Sequence, residues 1–150
     1  MRRCQPWERL SADNSEIMAK GYDENQARVA TIASFGKDLA RRSRSRCELC
    51  EATGVKLTTF EVAPVPKEPS IDHCLFLCDD CREQVEYPKR FQSGERWRCL
   101  TQTLWSEVPV VQVMAVRLLR KLSGSQAWAQ EALENAFLEP EIEEWAAKPE

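Results

Sequence analysis

The chain has 150 residues, 43% hydrophobic and 30% charged, enough to bury an ordinary core in one domain or in two small ones. No run of 18 apolar residues occurs, which excludes a membrane-spanning helix. The net charge of −3 is split between a basic first part (ten Lys/Arg against six Asp/Glu over 1–46) and an acidic remainder (eleven against eighteen over 47–150), not the uniformly basic balance of a committed nucleic-acid binder.

The opening MRRCQPWERL carries basic residues with no apolar stretch behind them, so it does not read as a secretory signal, and a cytoplasmic protein is expected. Residues 1–22 mix Pro6, Gly21, serines and charges around Trp7, Leu10 and Ile17 without a sustained period, and are expected to form a flexible N-terminal extension. Met18 is a second candidate start. Residues 23–46 are expected to contain a helix leading into the next module. Asp23 can cap it, Glu24 suits the first turn, and Val29, Ile32, Phe35 and Leu39 recur on one face.

Residues 47–81 change character. Lys56–Val62 (KLTTFEV) and His73–Cys78 (HCLFLC) read as strands, separated by a loop with Pro64, Pro66 and Pro69. Residues 82–96 are polar, contain Pro88 and Gly94, and read as a linker. Residues 97–150 are expected to form a helical domain. Ser106 can cap a helix with Pro109 in its first turn, and Val111, Met114, Leu118 and Leu122 form its apolar stripe. Gly124 ends it. Ser125 can cap a second helix reaching about Phe137, and Pro140 opens a third ending near Trp145 and Ala146. Trp97, Trp105, Trp128 and Trp145 are expected in the core of this part, with any exposed remainder free to dock a partner protein. The expected fold class is α+β: an N-terminal helix, a small β zinc ribbon and a C-terminal helical domain.

Seven cysteines are many for this length, and four fall in two C-x-x-C pairs, Cys47/Cys50 and Cys78/Cys81, with 27 residues between the pairs. A two-residue gap lets both sulfurs of a tight turn reach one ion, and two such turns supply the four soft ligands that Zn²⁺ prefers. The intervening segment has room for two strands and a loop, the layout of a zinc ribbon. Such a stretch is too short to build a core unaided, whereas thiolate binding of zinc releases on the order of 10–16 kcal/mol. One structural zinc ion is therefore expected, with Arg46 and Arg82 available to offset the thiolate charge. A redox-active pair, an iron–sulfur site and unrelated core cysteines stay open as alternatives. His73, the only histidine, is a candidate substitute ligand but more simply a strand residue. Cys74 is expected to pack, and Cys4 and Cys99 to be spare thiols.

The segment GKDLARRSRSRCELC (36–50), the knuckle LCDDC (77–81) and the block RWRCLTQTLWSEVPVVQVMAVRLLRKL (96–122) together resemble the PhnA family, named after an alkylphosphonate-utilisation operon. The likeness covers roughly residues 18–147. It implies an N-terminal zinc ribbon with the metal on Cys47, Cys50, Cys78 and Cys81, and a nominal link to phosphonate utilisation. Here the first pair is followed by Glu51-Ala52-Thr53-Gly54, so the glycine usual in a knuckle turn falls late.

Three functions are weighed. A non-catalytic binding or regulatory module with an unknown protein or nucleic-acid partner is preferred, because a Cys₄ zinc site leaves no position open. A nucleic-acid-binding ribbon would use the cluster Arg41, Arg42, Arg44 and Arg46, helped by Lys89, Arg90, Arg96 and Arg98 near Phe91 and Trp97. A phosphonoacetate hydrolase, the activity attached to some relatives, would need a second, open metal site in a chain with a single histidine and no G-x-S-x-G, H-E-x-x-H or glycine-rich phosphate loop.

Overall fold

The computed structural model of the protein describes residues 24–148. The expected extension with Trp7, Leu10, Ile17 and Met18, together with Cys4 and the capping Asp23, lies outside the described residues. A helix over residues 24–34 (α1) passes through Phe35 into Gly36–Ser43 (α2). At the join Phe35 stays right-handed, and its N–H reaches the Ile32 carbonyl three residues back at 3.1 Å, a local tightening of the same helix. Its apolar face is only partly used: Leu39 is fully buried, Ile32 and Phe35 are half-buried, and Val29 is 53% exposed. The helix lies along the edge of the core.

The two predicted strands pair as an antiparallel hairpin, Leu57–Glu61 (β1) with Cys74–Cys78 (β2), placing Leu57 opposite Cys78 and Glu61 opposite Cys74. A lone hairpin is marginal in water. This one is held because β2 is covered by α2 and by the later helices, so that Cys74, Leu75, Leu77 and Cys78 are buried while β1 is half-buried throughout.

Residues 82–96 are not the polar linker that their composition suggests. Asp79–Glu86 forms a helix (α3) that buries Cys81, Gln84 and Val85. It is followed by 3₁₀ turns at Pro88–Arg90 and Glu95–Cys99. The reason is Trp97, which is fully buried, stacks on Phe91 and donates its indole N–H to Gln84 Oε1 and the Gln92 carbonyl. A buried indole needs such partners, and supplying them pins the segment down.

After the short helix Leu100–Thr103 (α4) comes Pro109–Leu122 (α5), with ten of its fourteen residues buried. Pro109 sits in the first turn as expected, but Ser106 lies two residues before the cap: its Oγ accepts the Val108 N–H, and Val108 is the N-cap residue. Helices Ala127–Asn135 (α6) and Pro140–Ala147 (α7) pack against α5. Gln126, not Ser125, occupies the N-cap of α6, which stops two residues short of the 89% exposed Phe137. Arg117 interrupts the apolar surface of α5 for a purpose: it is buried and donates to the carbonyls of Trp145, Ala146 and Lys148, satisfying the C-terminal end of α7.

One hydrophobic cluster joins Cys47, Leu49, Leu75 and Leu77 to Trp97, Leu104, Val113 and Leu118. Hairpin and helices thus share an interior, in a mostly helical α+β architecture with a small sheet. Among the described residues no helix is long and apolar enough to cross a membrane.

Candidate metal centre

The first C-x-x-C pair follows the reversal that ends α2. Arg44 and Ser45 both have φ of 58°, in the left-handed region, which turns the chain sharply into Cys47. Within the knuckle, the Glu51 N–H bonds the Cys47 carbonyl at 2.8 Å and the Cys47 N–H bonds the Ala52 carbonyl at 3.0 Å. The position after Cys50 needs a positive φ, and Glu51 takes it at 63°, so a non-glycine residue stands where a knuckle usually has glycine.

The knuckle is tied to its surroundings by charge-assisted bonds. Glu48 donates its N–H to the Phe76 carbonyl and accepts the Phe76 N–H on its carboxylate at 2.8 Å, extending the outer edge of β2. Arg42 grips the same carboxylate through Nε and Nη2, at 3.0 and 2.6 Å, and also donates to the Cys74 carbonyl. From the other side Thr103 of α4 donates to the Leu49 carbonyl. The second pair sits at the junction of β2 and α3: Cys78 ends the strand and is the N-cap residue, and Cys81 lies in the first turn. The positive end of a helix dipole favours thiolates placed there.

These supports bring the four sulfurs within 4.8 Å of one another. Cys50 Sγ and Cys78 Sγ are 3.7 Å apart. Tetrahedral thiolate coordination with bonds of about 2.3 Å requires sulfur–sulfur edges of about 3.8 Å. A disulfide would need about 2.05 Å, and all of these cysteines are free thiols. An iron–sulfur cluster spreads its cysteines over several irons and holds them farther apart. Cys47, Cys78 and Cys81 are buried and Cys50 is half-buried, so the cage can hold a metal ion shielded from water.

The thiols perturb one another strongly. Cys47 is driven far down, chiefly by hydrogen bonds from the Cys50 and Cys81 thiols. Cys50 is pushed up to about 12, first by its bond to Cys47, and Cys81 is raised by bonds to Cys47 and Cys50. The thiol-to-thiol hydrogen bonds thus favour a thiolate at Cys47 over one at Cys50 or Cys81. A bound cation reverses this, because all four ligands must deprotonate.

Among the described residues, Arg96 is the cation that faces the cage. Its Nη2 lies 3.3 Å from Cys81 Sγ, and its guanidinium lies over the Trp97 ring, 5.1 Å from the centroid. Partial burial pulls its pKa down, but the charges of Cys81, Cys50, Cys78 and Asp80 outweigh this and leave it raised. The two arginines expected in this role are elsewhere. Arg82 bonds Glu86, Thr58 and the Thr59 carbonyl, and Arg46 is exposed at a neighbouring cleft. Spacing could not reveal Arg96, which is fifteen residues from Cys81 and reaches it only because buried Trp97 anchors its segment.

Comparison with known protein families, curated proteins and solved structures finds no match to this chain. Among the described residues, Cys74, Cys99 and the histidine stand apart from the cage. Cys74 is buried in β2, where burial pushes its thiol up to about 11 and its Sγ lies 3.2 Å from the Ser70 carbonyl. Cys99 is half-buried against the Arg96 carbonyl, its pKa raised by burial. His73 closes a 3₁₀ turn before β2 and packs against Trp145, the ring centroids 4.8 Å apart.

The basic cluster divides. Arg42 is committed to Glu48 and Cys74, and Arg41 is exposed on α2. Arg44 and Arg46 are exposed and line a cleft beside Cys47. The arginines of residues 82–98 are occupied, Arg90 lying over Tyr87 and pairing with Glu83 and Arg98 lying over Trp128 and pairing with Glu95, while Lys89 is exposed. Trp97 is core, Trp128 and Trp145 are half-buried against it, and Trp105, expected inside, is 57% exposed.

Proposed function

We propose that Cys47, Cys50, Cys78 and Cys81 hold one structural zinc ion in a ribbon-type centre, and that the chain is a non-catalytic binding or regulatory module of the PhnA type that its sequence resembles. The sulfur cage carries this reading: four thiols of one C-x-x-C/C-x-x-C set, at the spacing of a tetrahedral site, mostly buried and gripped by α4, β2 and α3. Four thiolates complete the coordination of zinc, so the ion organises structure instead of binding substrate. Reduced thiols in such a site fit a cytoplasmic protein.

Native mass spectrometry of freshly purified protein, without added metal, tests the reading. One zinc per chain, lost on Cys50→Ser, is the expected result. Iron with sulfide, a second metal or no metal would overturn it. The phosphonate link rests on the PhnA resemblance alone. Incubation of the zinc-loaded protein with phosphonoacetate and added divalent metals is expected to release neither phosphate nor acetate, and release of either would replace this reading with a hydrolase.

A further inference from the structure

The cleft beside the first knuckle has a volume of ≈ 330 Å³, at the lower end of the range of about 300–1,000 Å³ for ligand pockets. One wall is the turn from α2 into Cys47, and the other is the segment from Gln102 to Val111. Three features converge on it. Arg44 and Arg46 reach it from the turn and make no ion pair among the described residues. The third arginine of the lining, Arg42, is neutralised by Glu48 at 2.6 Å, which leaves Glu51 as the opposing acid. Ser43 Oγ is buried at the cleft with no hydrogen-bond partner among the described residues. Trp105 is 57% exposed there and enters no ring or cation–π contact among the described residues, whereas Trp97, Trp128 and Trp145 are packed or capped.

The turn itself is costly. Two consecutive non-glycine residues, Arg44 and Ser45, sit at φ 58°, a left-handed conformation that crowds their Cβ atoms. Glycine would remove that strain and the Arg44 side chain with it. Strain of this kind concentrates where a side chain is needed at a site.

We propose that this cleft binds a nucleotide unit of single-stranded nucleic acid, its base stacked on Trp105 and its phosphate held by Arg44 and Arg46, with Ser43 Oγ donating to a phosphate oxygen. A planar ring beside two guanidinium groups matches the two-part chemistry of a nucleotide, and stacking on an aromatic side chain is the sequence-tolerant grip used on single strands. The acidic balance of residues 47–150 disfavours a duplex laid across the surface. The site rests on the metal centre to the extent that the Cys47 knuckle forms one wall.

The test is fluorescence anisotropy with the zinc-loaded full chain and a labelled short oligothymidylate, with a duplex of equal length and with adenosine monophosphate as competitor. Trp105→Ala should weaken strand binding about 5- to 150-fold, the range for loss of one stacked base, while Trp105→Phe retains most of it. The logarithmic salt dependence should have a slope of about −0.7 for one phosphate contacted on a single strand, falling toward zero in the Arg44→Gln, Arg46→Gln double variant. Competition by the monophosphate alone, with the same sensitivity to the variants, would assign the same chemistry to a free nucleotide. Absence of binding by either ligand, preference for the duplex, or binding unchanged by Trp105→Ala would overturn the proposal. Native mass spectrometry of each variant separates the two readings: binding lost with zinc retained concerns the cleft, and zinc lost concerns the metal centre.

Discussion

The hairpin region, residues 47–81, and the helical region, residues 97–147, reach order by different means. In the helical region apolar side chains supply it. Buried Val110, Val113, Leu118, Leu119 and Leu122 surround α5 with contacts, and α6 and α7 close over them. In the hairpin region fewer large apolar side chains are fully buried, namely Leu49, Val62, Leu75 and Leu77. Its backbone is instead held by the sulfur cage and by bonds to charged groups, with Glu48 joined to both Arg42 and the Phe76 N–H. The two regions are nevertheless not independent, because Leu75 and Leu77 of β2 belong to the same core as α5. A small sheet can be organised locally by thiols and still take most of its apolar burial from a neighbour.

That contrast can be broken most directly at the metal. Chelation, or Cys47→Ser, removes an interaction on the order of 10–16 kcal/mol and should lower the Tm of the whole chain in a single calorimetric transition, since the core is continuous. Two separated transitions would instead make the helical region a unit of its own. Next in size is Leu118→Ala in α5, where Leu118 is 1% exposed. The cost should be about 2–5 kcal/mol by urea denaturation, with zinc stoichiometry unchanged. A loss of zinc in that variant would mean that the helical core positions the thiols.

Arg96→Gln acts on the hairpin side alone. It removes the cation from Cys81 Sγ and should weaken zinc binding about 10- to 100-fold in a competition titration, with little change in the helical region. Cys74 offers a smaller, pH-dependent probe. Its thiol is pushed up to about 11 by burial, so folding favours the protonated form. That contribution is complete below the ordinary thiol range near 8.5 and is lost as the pH rises through about 11. Cys74→Ala should therefore flatten the alkaline end of the stability profile. Smallest of all is Arg98→Ala. Its pair with Glu95 is largely exposed, and urea denaturation should show a change near the bottom of the range of about 0–1 kcal/mol.

The candidate metal site was legible in the sequence, because a C-x-x-C knuckle is a local device. The backbone of four residues brings two sulfurs together whatever surrounds them, and chemistry alone pairs two such devices around one cation. Both strands and the three main C-terminal helices were legible for a related reason: α5 shows its apolar period, and Pro109 and Pro140 mark starts that proline favours. Long-range choices were not legible. The helix over Asp79–Glu86 was concealed by its polar composition, and it forms because Cys81, Gln84 and Val85 have a core to enter. Nothing local distinguished Trp97, which is buried, from Trp105, which is exposed, or Arg96, which faces the sulfurs, from Arg46 and Arg82, which lie closer to a knuckle in sequence. Side-chain identity and spacing specify which groups can meet within a turn or a short loop. Which distant charge or ring meets them depends on how the whole interior closes, and only the packed chain decides that.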